Sequence, residues 1–241
     1  MLVTLRGTRW SSTEGNLPFE SNVRHECLSY ENHTIGVRQK AGLEAQEALV
    51  NVKLWKAVDK RFLASDIKGA IQDLEDLLAN EKVERFKGAI GLYFSNSPLS
   101  LLSKINKFIR TCDNSFDIQV VYLEMNGFDL NYNRWYFDSF GYKKCGDLRD
   151  NLDWLSDWQS DDWTQITLKG MEKIQKDFQW YHKQGIWEDK KYERAYELLV
   201  LLVMAKFVFL IQSALKAGDL VKPIPVLATA HDFDIIGRFA P

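Results

Sequence analysis

The sequence predicts an α+β domain: a mostly antiparallel sheet of four to six strands packed by about five helices. Three features carry that expectation. Apolar residues recur every three or four positions in several stretches, as on one face of a helix. Short apolar runs bounded by turn residues alternate with them, as buried strands do. One long apolar stretch near 188–217 reads as a buried central helix. With 241 residues, 46% of them hydrophobic, the chain is large enough to bury a substantial core.

Residues 1–42 read as an irregular N-terminal segment ahead of a single domain over 43–241. Ser11 to Asn22 is rich in turn formers, and His25, Cys27 and His33 lack the spacing of a zinc site. From Leu43 the spacing is helical, with Ala48, Val52, Trp55, Val58 and Phe62 on one stripe and Lys53, Lys56, Lys60 and Arg61 flanking it. Ser65 is placed to cap a second helix whose apolar face is Ile67, Ala70, Ile71, Leu74, Leu77 and Leu78. Asp73, Glu75 and Asp76 fall opposite, and Asn80 ends it. Gly88 to Phe94 reads as a buried strand. Ser97 and Pro98 then suit the N-cap and first position of a helix carrying Leu101, Leu102, Ile105, Phe108 and Ile109.

Ile118 to Met125 is apolar on both faces and belongs in the middle of a sheet. Asn126-Gly127 begins a turn, and Tyr132 to Tyr142 returns as an aromatic strand. A further helical stripe, Leu168, Met171, Ile174, Phe178 and Tyr181, stops at Gly185. The next helix opens at Glu188 and Asp189 and ends near Ala217, with Gly218 as terminator. Its apolar run from 198 is interrupted at Lys206 and ends at 211, short of the roughly 20 residues a membrane span needs. A buried helix in a protein with no membrane partner is therefore expected. Pro223 and Pro225 suit the start of one or two final strands.

Lys+Arg 31 against Asp+Glu 33 gives a net charge of -2, which argues against general nucleic-acid binding. Three widely spaced cysteines and an N-terminus, Met1 to Trp10, with no apolar h-region and no small-residue cleavage site fit a cytoplasmic protein. No phosphate loop, nucleophile elbow or complete metal set is present in the sequence, so no cofactor and no catalytic residue is assigned. Two incomplete constellations remain. His231, Asp232 and Asp234 would suit a metal-dependent hydrolase if other ligands joined them. Asp117 and Glu124 bracket a strand as in metal-dependent nucleases, but Asn126 stands where such a site wants a lysine.

The steepest charge excursion lies at 145–163, where six aspartates face one arginine, six minus one giving about -5. Were it helical, Asp150, Asp153, Asp157 and Asp161 would form one negative stripe, with Trp154 and Trp158 one turn apart. Like charges at that spacing repel, so the arrangement serves a basic partner better than the fold itself. The expected partner-binding set is Asp150, Asp153, Trp154, Asp157, Trp158, Asp161 and Asp162, the competing expectation being an acidic cap whose tryptophans point inward.

Trp135-Tyr-Phe-Asp-Ser-Phe-Gly-Tyr142, followed by Leu152-Asp-Trp-Leu-Ser-Asp-Trp158, resembles a group of small bacterial α+β proteins that includes candidate immunity partners of polymorphic toxins. The similar part spans roughly 88–185. The resemblance implies a cytoplasmic immunity or antitoxin-like factor that acts by protein binding. The remaining alternative is a non-catalytic subunit of a larger assembly, docked through residues 1–42.

Overall fold

The computed structural model describes residues 58–241 apart from 128–132, 149–151, 162, 163, 232, 234 and 241. The N-terminal segment, the boundary proposed at 42/43 and the His25, Cys27 and His33 group lie outside the described residues. Residues 58–63 are helical (α1), followed by α2 (Ile67–Ala79), α3 (Pro98–Asp113), β1 (Val120–Met125), β2 (Tyr136–Tyr142), β3 (Ile166–Thr167), α4 (Glu172–Lys183), α5 (Lys190–Leu215), β4 (Val226–Ala230) and β5 (Gly237–Phe239). The five strands lie in the order β3-β2-β1-β4-β5. Only β1 with β4 is parallel, so the mixed sheet is mostly antiparallel, as predicted.

The helix limits follow from local chemistry. Ser97 caps α3 by accepting from the Ser100 N–H, with Pro98 at the first position. Asn80 closes α2. Gly185, at φ 66, ends the turn after α4 in the left-handed region that glycine tolerates best. The cap of α2 is one residue later than predicted. Ser65 takes φ 57 and turns the chain, while the Asp66 carboxylate accepts from the Gly69 N–H at 3.0 Å.

α5 is the predicted long helix, 26 residues, with Leu198 to Val208 buried throughout. It is long and apolar enough to cross a membrane by length and composition, but it is mostly buried in this fold. Lys206, the residue that interrupts its apolar run, is fully buried. Its Nζ donates to Glu75 Oε1 and to the Ala89 carbonyl, both at 2.6 Å, and lies 4.9 Å from the Tyr93 ring centre. Glu75 thus faces inward, not onto the polar face of α2, and also accepts from the Gly91 N–H at 2.8 Å.

This network accounts for the strand expected at 88–94, which does not form. Residues 86–89 are a short 3-10 turn and Gly91 has φ 70, so the chain bends where a strand was expected. Phe86, Ala89 and Phe94 are buried, the Ala89 carbonyl and the Gly91 N–H are spent on Lys206 and Glu75, and the Ile90 N–H bonds the Lys87 carbonyl within the turn in place of a neighbouring strand.

The sheet has two unlike faces because side chains alternate along each strand. One face meets the helices: Phe137 packs 5.4 Å from Phe207 of α5, and Trp135 lies edge-on to Phe178 of α4 at 5.3 Å. Against the other face lie Val120, Tyr122, Phe140, Tyr142 and Leu227, joined by Ile235. What covers this second face is the acidic, tryptophan-bearing segment.

Candidate partner-binding surface

The segment leaves β2 at Tyr142 and crosses the sheet until the Leu148 carbonyl accepts from Arg238 of β5 at 2.8 Å. It then returns to the outer edge of β2. There the Gln159 N–H donates to the Gly141 carbonyl at 2.9 Å, the Ser160 hydroxyl accepts from the Gly141 N–H at 3.2 Å, and the Lys143 N–H donates to Gln159 Oε1 at 2.8 Å. Farther along the same edge, Gln165 donates its N–H to Asp138 Oδ1 at 2.7 Å before β3 pairs with β2. The segment therefore closes an apolar face and occupies a sheet edge that would otherwise be unpaired.

Leu148, Leu152, Trp154 and Leu155 pack on the cluster of Tyr122, Phe140 and Tyr142. Trp154 lies edge-on to Tyr142 at 5.0 Å, and its indole N–H donates to the Asp147 carbonyl at 2.8 Å. The Tyr142 hydroxyl donates to the Leu155 carbonyl at 2.9 Å. Burial, reinforced by Glu124 and Asp157, pushes the Tyr142 phenol above its usual range, so it stays a donor. Gly146 permits the arrangement, since a Cβ there would stand 2.3 Å from the Trp154 ring.

The helix considered for this segment does not form. Among the described residues of the segment only Asp153–Ser156 is helical, as a 3-10 turn, so Asp153, Asp157 and Asp161 do not share a helical stripe. Two hydrogen-bonding commitments prevent it: Tyr142 claims the Leu155 carbonyl, and the β2 edge claims the backbone at 159. Of the seven predicted residues, Asp150 and Asp162 lie outside the described residues. Trp154 turns inward, as the competing expectation had it. Asp153, Asp157 and Asp161 are exposed, and Trp158 is 40% exposed while lying 5.4 Å from Phe140. Among the described residues, no ion pair or side-chain hydrogen bond uses the Asp157 or Asp161 carboxylate. Asp161 is felt across the edge by the Cys112 thiol, pushed up to about 11 mainly by burial and further by that carboxylate.

The same sheet face becomes polar at the end where β1 and β4 finish. Glu124 Oε1 meets His231 Nδ1 at 2.8 Å and its Oε2 accepts from the Tyr122 hydroxyl at 2.8 Å. Asp138 is directly opposite Glu124 on β2, and Thr229 on β4. Burial raises the Asp138 carboxyl above its usual range, the Gln165 N–H opposes this, and Glu124 adds to it. Two residues from separate incomplete constellations, Glu124 and His231, are thus partners. Parallel register between strands about a hundred residues apart joins them, and no local spacing signals it. Asp117 is at the other end, shared with Asp113 by Lys222 at 2.6 Å, so Asp117 and Glu124 do not form one site. Among the described residues no group of three histidine, cysteine or acidic side chains is arranged to hold a metal, and Asp232 and Asp234 lie outside them. Cys112 is buried and Cys145 exposed, neither in a disulfide.

Among the described residues these features define an α+β protein with five α-helices and a sheet face covered by the acidic 148–155 segment. Comparison with known families, curated proteins and solved structures found no match to the chain.

Proposed function

We propose that this protein is a cytoplasmic binding factor, of the immunity or antitoxin type, that captures a basic protein through the acidic segment on the sheet face opposite α4 and α5. The observation that carries the reading is the division of labour along 152–161. The fold uses Leu152, Trp154 and Leu155 for closure and the backbone of 159–160 for the sheet edge. The Asp157 and Asp161 carboxylates take no part in either task and have no cationic partner among the described residues. Uncompensated charge of one sign steers an oppositely charged partner and raises its association rate.

The test is rate-resolved. The association of the full chain with the product of the reading frame beside its own is measured at low and high salt. Changing Asp153, Asp157 and Asp161 together to Asn is expected to slow association about tenfold or more at low salt and flatten its salt dependence. An unchanged rate and slope would end this reading.

A second reading is supported by the hydrogen bonds of 159–160 to β2: the aspartates guard a sheet edge against pairing with other chains. It predicts that the same triple variant self-associates on size-exclusion chromatography while partner association is unaltered.

A further inference from the structure

We infer that Trp158 selects arginine over lysine in the captured partner, its ring taking a guanidinium that Asp157 or Asp161 pairs with at the same time. The inference rests on the proposed capture of a basic partner and names the group captured. Trp158 is 40% exposed, on a segment fixed at both ends, and its ring is braced by Phe140 at 5.4 Å and 63°. It lies between two exposed aspartates, Asp157 beside it and Asp161 three residues on.

The chain itself shows one guanidinium served by a tryptophan ring and a carboxylate together, on a helix. On α4, Asp177 and Trp180 stand three residues apart, on one face of the helix. The Arg85 guanidinium sits 4.3 Å from the Trp180 ring centre while its Nε donates to Asp177 at 2.7 Å. Arg134 is likewise 5.0 Å from Tyr136. Among the described residues no cation lies over Trp158. A planar, weakly hydrated guanidinium both stacks on an indole and pairs with a carboxylate, whereas an ammonium is a compact and strongly hydrated charge. The surface therefore fits an arginine-bearing protein segment, by charge and by shape.

The experiment titrates the full chain with arginine and lysine homopeptides of equal length, following tryptophan fluorescence and binding calorimetry at two salt concentrations. Wild type is expected to prefer the arginine peptide by about two- to fivefold, the worth of one exposed cation–π contact. Trp158→Leu should erase the preference and keep salt-sensitive binding of both peptides. Trp158→Phe, a smaller change on the same ring contact, should leave a reduced preference. Equal binding of the two peptides by wild type overturns the inference and leaves capture of a basic partner standing. A preference that persists in both variants also overturns it, because the selection then resides elsewhere. Binding of neither peptide overturns the inference together with the reading beneath it.

Discussion

The Lys206–Glu75 pair tests how this core is held together. Lys206 has no exposed side-chain surface and Glu75 about a tenth. Burial pushes the lysine below its usual range, and the Glu75 hydrogen bond pulls it back. Lys206→Met keeps the length of the side chain but leaves the Glu75 carboxylate buried with only the Gly91 N–H, and the Ala89 carbonyl without its donor. Removing one partner of a buried ion pair costs about 3–5 kcal/mol. At about 2–4 °C per kcal/mol for a domain of this size, Tm should fall by about 6–20 °C. Glu75→Met should cost a similar amount, since it strands the ammonium. The double variant should recover much of either loss, because two apolar side chains replace a desolvated pair, giving a coupling energy of about 2 kcal/mol or more. Chemical denaturation followed by far-UV circular dichroism measures all four corners of the cycle. Single variants that lose less than about 1 kcal/mol, with no coupling, would refute the argument that this pair ties α2 and the 86–91 turn to α5.

Three further outcomes follow from named contacts. Asp138 has a raised carboxyl, so the folded state holds its proton more tightly than the unfolded chain, and its contribution to stability falls as pH rises above the ordinary carboxylate range. Asp138→Asn should flatten that part of the pH–Tm curve and gain up to about 1 kcal/mol near neutrality by removing a cross-strand like charge opposite Glu124; a steeper curve would contradict the assignment. Gly146→Ala should displace Trp154, cost about 1–3 kcal/mol in denaturant unfolding and alter tryptophan emission, because the added methyl meets the ring at 2.3 Å. Gly170→Ala should cost at least about 1–2 kcal/mol, since φ is 98 and a Cβ would come within 2.7 Å of the Ser95 backbone nitrogen; unchanged stability would show that this loop relaxes freely.

Much of the site's chemistry was readable in sequence, but its geometry was not. The aspartates and tryptophans of 150–163 are conspicuous because charge and aromatic content are local properties. Their arrangement depends on residues outside the window: Arg238, distant in sequence, holds Leu148, while Tyr142 and Gly141 of the preceding strand hold Leu155 and Gln159. Helical spacing suggested a stripe that those long-range bonds forbid. The Glu124–His231 contact was invisible for the same reason, as strand register is set by pairing between distant segments.

The sequence by itself determined the α+β class, the long buried helix, the helix caps at Ser97 and Asn80, the apolar stripes of α2 and α3, and that of α4 from Ile174 on, while Leu168 and Met171, expected on the same stripe, precede the helix. Each depends on periodicity or on a side chain bonding its own neighbours. Only the tertiary structure decided that residues 86–91 turn to meet a buried lysine, that Glu75 faces inward, and that the 148–155 segment packs on one face of the sheet. In those places a buried polar group or an open apolar surface had to be satisfied by whatever the fold brought near, and that demand outweighs local preference.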